Sequence, residues 1–597
     1  MIRGFFVGVP LILLAAGIDL VVRGFRDPIG ANPPEGFEAL RSRAAYQTSR
    51  TCAPCHPDHA KSFGRTFHRT MTQKATPGSV LGKFDGVPFE VLGVRSTPSR
   101  EGDRFFLETT HPKTGELTRF EIVRTVGSRR MQQYVMKEGD RHLRLPIAWS
   151  IDQQRWFHLS EAFFHPDGEP FHQNTAVWDL NCIFCHNVKP NPRLAVDGSM
   201  ASEVAELGIA CEACHGPGEE HERRMRSPGR RYAFHLTAPV DPTIVNPARI
   251  EKMRSVQVCG HCHGQRLPAD RDQIMEIYKK GDPYTPGENL ARFFVPVDRE
   301  TRVGDFRFAP RFWSDGSPRL TAYEYQGLLR SRCFQKGEMT CVSCHSMHSG
   351  DPHGQLRPDL PGNRMCTQCH GAFTGGGLAA HTKHLPKSTG STCVSCHMPE
   401  EVYGIMSWHP THEIRSPDPA RSAAAEKPDA CTACHTGRSR KWAAAKSVEL
   451  WPRLREGGGG TVRGALFDAP EIPRALFSGD VVYRTLAAVR LGEPAVDPGV
   501  AGWAVPLLAE ALVDPYPSVR RAARDSLGRL TGRRDLPFAL DPVRARQQAR
   551  ADLTARAVGP APPAGSGWPI DSRGMVDERI LTKWIHEREE VPVSIGE

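Results

Sequence analysis

One five-residue pattern occurs eight times in this chain: two cysteines separated by two residues, with a histidine directly after the second cysteine. Two thiols at this spacing can add to the two vinyl groups of one porphyrin, and the adjoining imidazole can bind its iron from one side. The pattern therefore predicts eight covalently bound haem c groups. The attachment residues would be Cys52, Cys55, Cys182, Cys185, Cys211, Cys214, Cys259, Cys262, Cys341, Cys344, Cys366, Cys369, Cys393, Cys396, Cys431 and Cys434. The first axial ligands would be His56, His186, His215, His263, His345, His370, His397 and His435.

Zinc ribbons and disulfide frameworks also use closely spaced cysteines. Neither needs a histidine immediately after the second cysteine. Histidine makes up 25 of the 597 residues, so chance would place one there in about 4% of cysteine pairs. Its presence in all eight copies therefore excludes coincidence and favours haem over zinc.

The second axial ligand of each iron decides what the haem can do. A second imidazole gives a saturated, low-spin electron carrier, whereas an open position gives a place for substrate. Seventeen histidines lie outside the eight motif positions, which is enough to fill every iron. We expect all eight haems to be six-coordinate. The candidates for second ligands are His68, His172, His221, His348, His381, His384, His409 and His412.

The composition fits a chain whose interior is partly porphyrin. Hydrophobic residues make up only 39% of the sequence, with 55 glycines and 50 prolines. Four motifs lie between Cys341 and His435, too short a stretch to build a conventional side-chain core. The haems themselves must fill that space.

The formal charge of +10 overstates the basic character of the loaded protein. Each haem brings two propionates, so eight haems would change the net charge to about +2 when ferric or about −6 when ferrous. Arginine clusters such as the one between Arg223 and Arg231 can pair with propionates or form a solvated basic face. No nucleic-acid partner is expected.

The chain divides by pattern into six parts. Residues 1–30 are a membrane anchor or a signal, 31–76 a first haem segment, and 77–175 an antiparallel β module with alternating apolar and polar residues. Residues 176–440 carry seven motifs on short helices. Residues 441–550 show a helical pattern of HEAT type, for which a generic helical cap is the alternative. Residues 551–597 read as a Pro/Gly-rich linker and a charged tail.

The N-terminal segment bears on location. The run Phe5–Val22 is apolar except for Pro10 and Asp19, a length that fits a short membrane span or a long signal region. No clear cleavage site follows it, which favours an uncleaved anchor formed by residues 4–22. Because haem is joined to such thiols outside the cytoplasm, we expect the bulk of the chain to be periplasmic or on the cell surface.

Several segments resemble known multihaem cytochromes. Gly208–His221 (GIACEACHGPGEEH) resembles the motif of tetrahaem cytochromes and of the hydroxylamine-oxidoreductase-like family. The order of segments is similar to exported multihaem cytochromes with doubled CxxCH motifs and C-terminal TPR or HEAT repeats. This likeness spans about residues 45–440. It is carried by Met131–Tyr134, Leu145–Trp149, Arg155–Leu159, Thr340–His348 and Cys393–Pro399.

The resemblance implies electron transfer, with a minority of relatives catalysing nitrogen or sulfur redox reactions. The expected fold is a mostly α and irregular multihaem core with an inserted small antiparallel β module and a C-terminal HEAT-like helical domain. The expected function is electron transfer between a membrane or periplasmic donor and an external acceptor, through redox partner proteins and with oligomerisation left open. The alternatives are a multihaem oxidoreductase with one open iron, or an assembly subunit whose C-terminal helices dock a partner.

Overall fold

A large antiparallel sheet occupies the stretch between the first and second motifs. The computed structural model describes residues 5–27, 29–30, 33, 35–452, 468–494, 500–555, 567–571, 573, 575–588 and 590–595. Seven strands follow one another in sequence order from β2 to β8, while β1 pairs with β5 and β9 with β7. The strands are β1 Thr72–Lys74, β2 Phe89–Val91, β3 Val94–Glu101, β4 Arg104–Thr110, β5 Leu117–Val126, β6 Met131–Glu138, β7 Arg141–Ser150, β8 Arg155–His158 and β9 Ala176–Val177.

The sheet curls until its ends almost meet. The ring of Phe89 on β2 stacks on Trp156 of β8, with centroids 5.6 Å apart. The register shifts between Ile122 and Arg124 and again between Gln133 and Val135. Such bulges bend a strand and increase its twist, so they account for the nearly closed, barrel-like shape.

The inside of the curl is a core of aromatic and branched side chains. Leu145, Ile147 and Trp149 alternate along β7 and are almost fully buried together with Tyr134 of β6. Because successive strand residues point to opposite faces, this alternation gives the sheet one apolar face of its own. The Tyr134 hydroxyl accepts a hydrogen bond from the backbone N–H of Gly82 (2.9 Å), which satisfies it inside the core.

The predicted fold class is wrong. Helices hold 40% of the residues and strands 16%, and the sheet is a nearly closed structure rather than a small module inserted in a mostly α core. The alternating pattern indicated β4, β5, β7 and β8 of this sheet but not β3 or β6. It also missed the two- to four-residue strands that follow the sheet, because a strand that short shows no measurable alternation. These later strands are β10 Asn187–Val188, β11 Glu206–Leu207, β12 Arg266–Pro268, β13 Phe294–Pro296, β14 Arg302–Val303, β15 Phe306–Arg307, β16 Glu400–Tyr403 and β17 Trp408–Pro410.

Short helices carry the motifs, since most span only one to three turns. The N-terminal helices are α1 Phe5–Arg26, α2 Gly36–Arg43, α3 Ser49–Cys52 and α4 Pro57–Phe63. The helices from the second to the eighth motif are α5 Ile183–His186, α6 Cys211–His215, α7 Glu219–Met225, α8 Pro228–Thr237, α9 Lys252–Gly260, α10 Ile274–Lys280, α11 Glu324–Arg330, α12 Arg332–Lys336, α13 Arg364–Thr367, α14 Gly376–Thr382, α15 Cys393–His397 and α16 Pro419–Ala424.

The C-terminal helices pack on one another and on the outside of the sheet. Leu486 and Leu507 are buried in the same apolar cluster as Phe157 of β8 and Tyr403 of β16. The guanidinium of Arg520 donates two hydrogen bonds of 2.7 Å to Asp167, which tethers these helices to the loop after β8. The helices are α17 Arg440–Leu450, α18 Glu471–Ser478, α19 Val481–Leu491, α20 Val500–Glu510, α21 Pro517–Thr531, α22 Val543–Thr554 and α23 Glu578–His586.

The expected anchor, Phe5–Val22, falls in α1, and residues 1–4 lie outside the described part of the chain. Within the residues that the structure describes, no helix has the length and apolar character needed to cross a membrane. The HEAT assignment and the six domain boundaries stay predictions.

The shared core of sheet and C-terminal helices predicts a large cost for truncating Leu486, whose side chain is 1% exposed on α19. Leu486→Ala removes buried methyl groups and leaves a cavity, so the free energy of unfolding should fall by about 2–5 kcal/mol. Val543→Ala, at a side chain 53% exposed on α22, should change it by less than about 0.5 kcal/mol. Denaturant titration followed by circular dichroism measures both, and equal shifts would contradict the packing described.

Candidate haem-attachment sites

Every motif folds as a single helical turn. In six of them the backbone N–H of the histidine donates to the carbonyl of the first cysteine, at 2.8–3.1 Å. The other two motifs are themselves the helices α6 and α15. One turn places both thiols and the imidazole on the same side of the backbone. This is the arrangement that a porphyrin edge with its iron requires, and all sixteen motif thiols are free.

Six motif histidines face a second imidazole at a spacing that fits an iron between them. A transition metal binds an imidazole nitrogen at about 2 Å, so two imidazoles on opposite sides of one iron have centroids about 6 Å apart. The observed centroid distances are 6.3 Å for His56 and His221, 6.1 Å for His215 and His348, 5.9 Å for His263 and His68, 6.3 Å for His345 and His412, 6.0 Å for His397 and His381, and 6.4 Å for His435 and His384.

Hydrogen bonds at Nδ1 orient these rings and leave Nε2 for the iron. On the motif side, backbone carbonyls accept from His215, His345 and His397 at 2.6–2.8 Å. On the opposite side, Asp241 accepts from His221 at 2.6 Å and the Thr382 carbonyl accepts from His384 at 2.6 Å. Such outer partners fix the tautomer of a ligating histidine and raise its basicity.

The segments that supply second ligands are docked by specific backbone contacts. Gly208 has φ +74°, and a side chain there would collide with the carbonyl of Arg69. Its neighbour Ile209 donates its N–H to the carbonyl of His68 at 3.0 Å. The glycine before the third motif therefore brings the His68 segment close, and His68 also bonds to the side chain of Gln355.

Burial keeps several of these imidazoles neutral, the state in which they can bind iron. Burial and the neighbouring His263 lower the pKa of His68 to about 4. Burial and the neighbouring His59 and His215 lower the pKa of His348 to about 4. Burial opposes ionisation of Asp241, but the hydrogen bonds from His221 and Thr243 hold its pKa below the usual range. An ionised carboxylate therefore lies behind His221.

Two predicted second ligands lie elsewhere. His172 is beside the sheet, where its Nε2 is 3.1 Å from the hydroxyl of Thr110. The Nε2 of His409 is 3.2 Å from the hydroxyl of Ser407. Correspondingly, His186 and His370 make no ring contact with another histidine, and all 25 histidines belong to the described part of the chain. His370 instead contacts Phe373, with centroids 6.3 Å apart.

A histidine given no role by the sequence analysis also lies near the first motif. His59 is 6.2 Å from His56 and 4.4 Å from His348. The spacing to His56 would suit an iron, so two imidazoles approach the same motif histidine. Only a tertiary contact reveals this, because His59 follows the motif as an ordinary residue of α4.

The motifs contact one another in a definite order. In four places a thiol of one motif lies close enough to a thiol of another to perturb its pKa: Cys52 with Cys211, Cys185 with Cys262, Cys259 with Cys341, and Cys366 with Cys393. Cys214 and Cys259 lie close enough to interact electrostatically, as do Cys396 and Cys434. Motifs five and six meet where Gln368 donates to the carbonyl of Ser343 at 3.2 Å.

Numbered by their order in the sequence, the motifs are neighbours in the series one, three, four, five, six, seven, eight. Motif two lies beside motif four. Motifs six and seven are joined further by Asn363, whose side-chain oxygen accepts from the backbone N–H of Cys393 at 2.8 Å. Each motif would hold its haem through these thiols, so haems attached to neighbouring motifs would also be neighbours.

Comparison with known proteins supports the cofactor. The family of the doubled CXXCH motif matches residues 333–375. No curated protein sequence matches this chain. The eight motifs and this match over residues 333–375 are typical of multihaem c-type cytochromes, and they support haem c as the cofactor.

Two solved structures are similar to parts of this fold. The outer cell wall cytochrome OcwA is 18% identical, with a TM-score of 0.45, over 85% of this chain and 99% of that chain. The undecahaem cytochrome from the S-layer of Carboxydothermus ferrireducens is 17% identical, with a TM-score of 0.32, over 85% of this chain and 70% of that chain.

The nearly parallel rings of His381 and His397, with an interplanar angle of 6°, predict that His381 is an iron ligand. His381→Ala should convert one low-spin ferric haem to high-spin, because the iron loses one strong-field nitrogen. Electron paramagnetic resonance of the oxidised protein measures this. The matched variant His235→Ala, at an exposed histidine on α8, should leave the spectrum unchanged, and identical spectra for both variants would refute the assignment.

The contact between Asp241 and His221 predicts a tuned reduction potential at the first haem. Asp241→Asn keeps the shape but removes the negative charge that stabilises ferric iron, so the midpoint potential of one haem should rise. A spectroelectrochemical titration measures the shift. His59→Ala should leave that potential and the low-spin signal in place. The opposite result, with His59→Ala creating a high-spin haem and Asp241→Asn having no effect, would make His59 the ligand.

Proposed function

We propose that the chain is an exported octahaem cytochrome that transfers electrons between a membrane or periplasmic donor and an external acceptor. The observation that carries this proposal is the set of six motif histidines, each facing a second imidazole about 6 Å away. An iron held by two imidazoles is saturated, and it needs no ligand change when it gains or loses an electron. Such irons suit electron transfer rather than substrate binding.

The motif contacts support conduction along the chain of haems. Each of the eight motifs lies near another motif, so no haem would be isolated from the rest. Electrons pass between porphyrin edges, and the protein tunes each potential through axial ligand, burial and nearby charge. The second ligands proposed are His68, His221, His348, His381, His384 and His412.

Export follows from the chemistry of attachment, because thioether formation takes place outside the cytoplasm. Membrane attachment is supported by the N-terminal helix, on which the apolar side chains of Leu13, Leu14 and Ile18 are more than half exposed. We therefore retain residues 4–22 as a proposed anchor. Redox partner proteins would supply the donor and the acceptor.

A second function is favoured by one observation. His186 and His370 are motif histidines that face no other imidazole in the described residues. An iron with one imidazole can hold a substrate, as a multihaem oxidoreductase requires. This alternative differs from the carrier by the presence of a high-spin haem that reacts with nitrogen or sulfur compounds.

Electron counting tests the proposed function. Coulometric reduction of the purified holoprotein should take up eight electrons per chain, and a pyridine haemochrome assay should give eight haems. The matched variant Cys52→Ala/Cys55→Ala cannot attach the first haem and should take up seven. Fewer than eight haems after full maturation, or haems that a mediator cannot reduce, would overturn the proposal.

A further inference from the structure

We propose that helices α1 and α8 form one membrane-binding surface, which docks on a bilayer containing anionic lipids and holds the first haem on the side of that bilayer. This inference rests on the proposed function, which includes a membrane donor and an anchor at residues 4–22. It deepens that function by assigning a second helix to the membrane contact, the class of lipid, and the haem that a membrane donor would reach first.

The described part of α1 is apolar and exposed around its whole circumference. Every residue from Leu13 to Val22 is exposed, and Leu13, Leu14 and Leu20 are 60–67% exposed. The stretch contains one charged residue, Asp19, which pairs with Arg23 at 2.8 Å. Exposed apolar patches of this kind mark contacts with a protein or a membrane, because water disfavours the apolar surface.

Two glycines let α1 and α8 approach each other closely. A Cβ on Gly24 would lie 3.0 Å from the carbonyl oxygen of Gly229, and a Cβ on Gly229 would lie 3.6 Å from the carbonyl oxygen of Leu20. The segment after α1 is held as well, because Gly30 has φ +92° and a Cβ there would lie 3.0 Å from the guanidinium of Arg230. The two helices therefore belong to one packed unit.

The second helix adds exposed apolar side chains of its own. Tyr232 and Leu236 of α8 are 71% and 73% exposed. They lie four positions apart and so share one face of the helix. Val240, just after the helix, is 56% exposed, whereas Ala233 packs inward and is fully buried. The face of α8 that carries Tyr232 and Leu236 thus extends the apolar surface of α1.

Exposed basic residues border these apolar side chains. Arg231 and His235 lie four positions apart on α8, and both are exposed. Residues 228–240 contain no acidic residue. A basic stripe beside an apolar stripe is typical of helices that lie in the headgroup region of a membrane, with the apolar side chains buried and the basic ones on lipid headgroups.

The balance of charge selects the occupant of this surface. Residues 13–27 and 219–237 together contain seven arginines and five carboxylates. Three of the carboxylates are already paired with arginines of their own helices, at 2.5–2.8 Å: Asp19, Glu220 and Glu222. A second copy of this chain would bring the same positive surface and repel the first, whereas anionic headgroups complement it. An anionic bilayer therefore fits better than a dimer.

Helix α7 connects this surface to the first haem. Arg224 of α7 donates to the carbonyl of Ile29, just after α1, at 3.0 Å. Three residues before Arg224, His221 faces His56 of the first motif with ring centroids 6.3 Å apart. The same short helix thus supplies the proposed second ligand of the first haem and holds the segment that follows α1. A bilayer on α1 and α8 would lie on the side of this haem.

Sedimentation of the full-length holoprotein with lipid vesicles tests the surface. The protein should bind vesicles of phosphatidylcholine and phosphatidylglycerol. Tyr232→Ser/Leu236→Ser should weaken this binding about tenfold, because two apolar side chains lose their burial in lipid. Val196→Ser, at a side chain 100% exposed between β10 and β11, should not change it. Unchanged binding by the α8 variant, or dimers in solution in place of vesicle binding, would overturn the inference.

A charge variant tests the class of lipid. Arg231→Gln should weaken binding to the anionic vesicles about fivefold, as expected for one arginine at a negative membrane surface, and should leave binding to phosphatidylcholine alone unchanged. Arg95→Gln, at an exposed arginine on β3, should change neither. The choice of anionic lipid fails if Arg231→Gln weakens binding to both kinds of vesicle equally.

A lipid with a nitroxide on its headgroup tests the orientation. The paramagnetic ferric haem nearest to the bilayer should speed nitroxide relaxation most, because this effect falls steeply with distance. Cys52→Ala/Cys55→Ala, which cannot attach the first haem, should lose most of the effect and still bind vesicles. Cys431→Ala/Cys434→Ala, which lacks the eighth haem, should keep it, and the reverse result would contradict the orientation. Absent vesicle binding with eight reducible haems would sink this inference alone, whereas fewer than eight haems would sink the proposed function.

Discussion

An iron saturated by two imidazoles needs them from opposite sides, and this requirement organises most of the motif region. The motif fixes one side covalently, while the second imidazole must arrive from a different segment. His221 lies 165 positions from His56, and His68 lies 195 positions from His263. Each such haem therefore joins two distant segments, as a disulfide would, but through a rigid group that also fills space. Helices of one or two turns suffice because the porphyrins, rather than side chains, hold them.

The large apolar cores lie outside the segment in which the motifs are densest. The curled sheet has its own core around Trp149 and Tyr134, and its outer face shares a second core with the C-terminal helices through Phe157 and Leu486. Between Cys341 and His397, where every residue is described, Leu360 is the only buried hydrophobic residue. This division explains how a chain of modest hydrophobic content supports a dense motif region: the sheet and helices form a scaffold against which the haem segment lies.

The sequence determines the attachment and first axial ligand of each haem locally, because five consecutive residues supply both thiols and one imidazole. The second axial ligand depends on tertiary contacts. His381 and His172 look equally suitable in the sequence. In the structure, His381 faces His397 with ring centroids 6.0 Å apart, whereas His172 lies beside Thr110 of the sheet. The size of the sheet was underestimated for a related reason. Strands such as β1 and β9 are too short to show a period, and they join the sheet only because the neighbouring strands offer free edges.

The geometry separates two demands on one molecule. A wire works best when every iron keeps the same ligands in both oxidation states, and the haems joined through the first, third, fourth and fifth motifs all have two facing imidazoles. The second and sixth motifs differ, because His186 and His370 face no other imidazole among the described residues. A ligand-binding iron changes its coordination. The chemistry of the oxidoreductase alternative would therefore be confined to these two motifs, while the other six would keep a fixed pair of imidazoles.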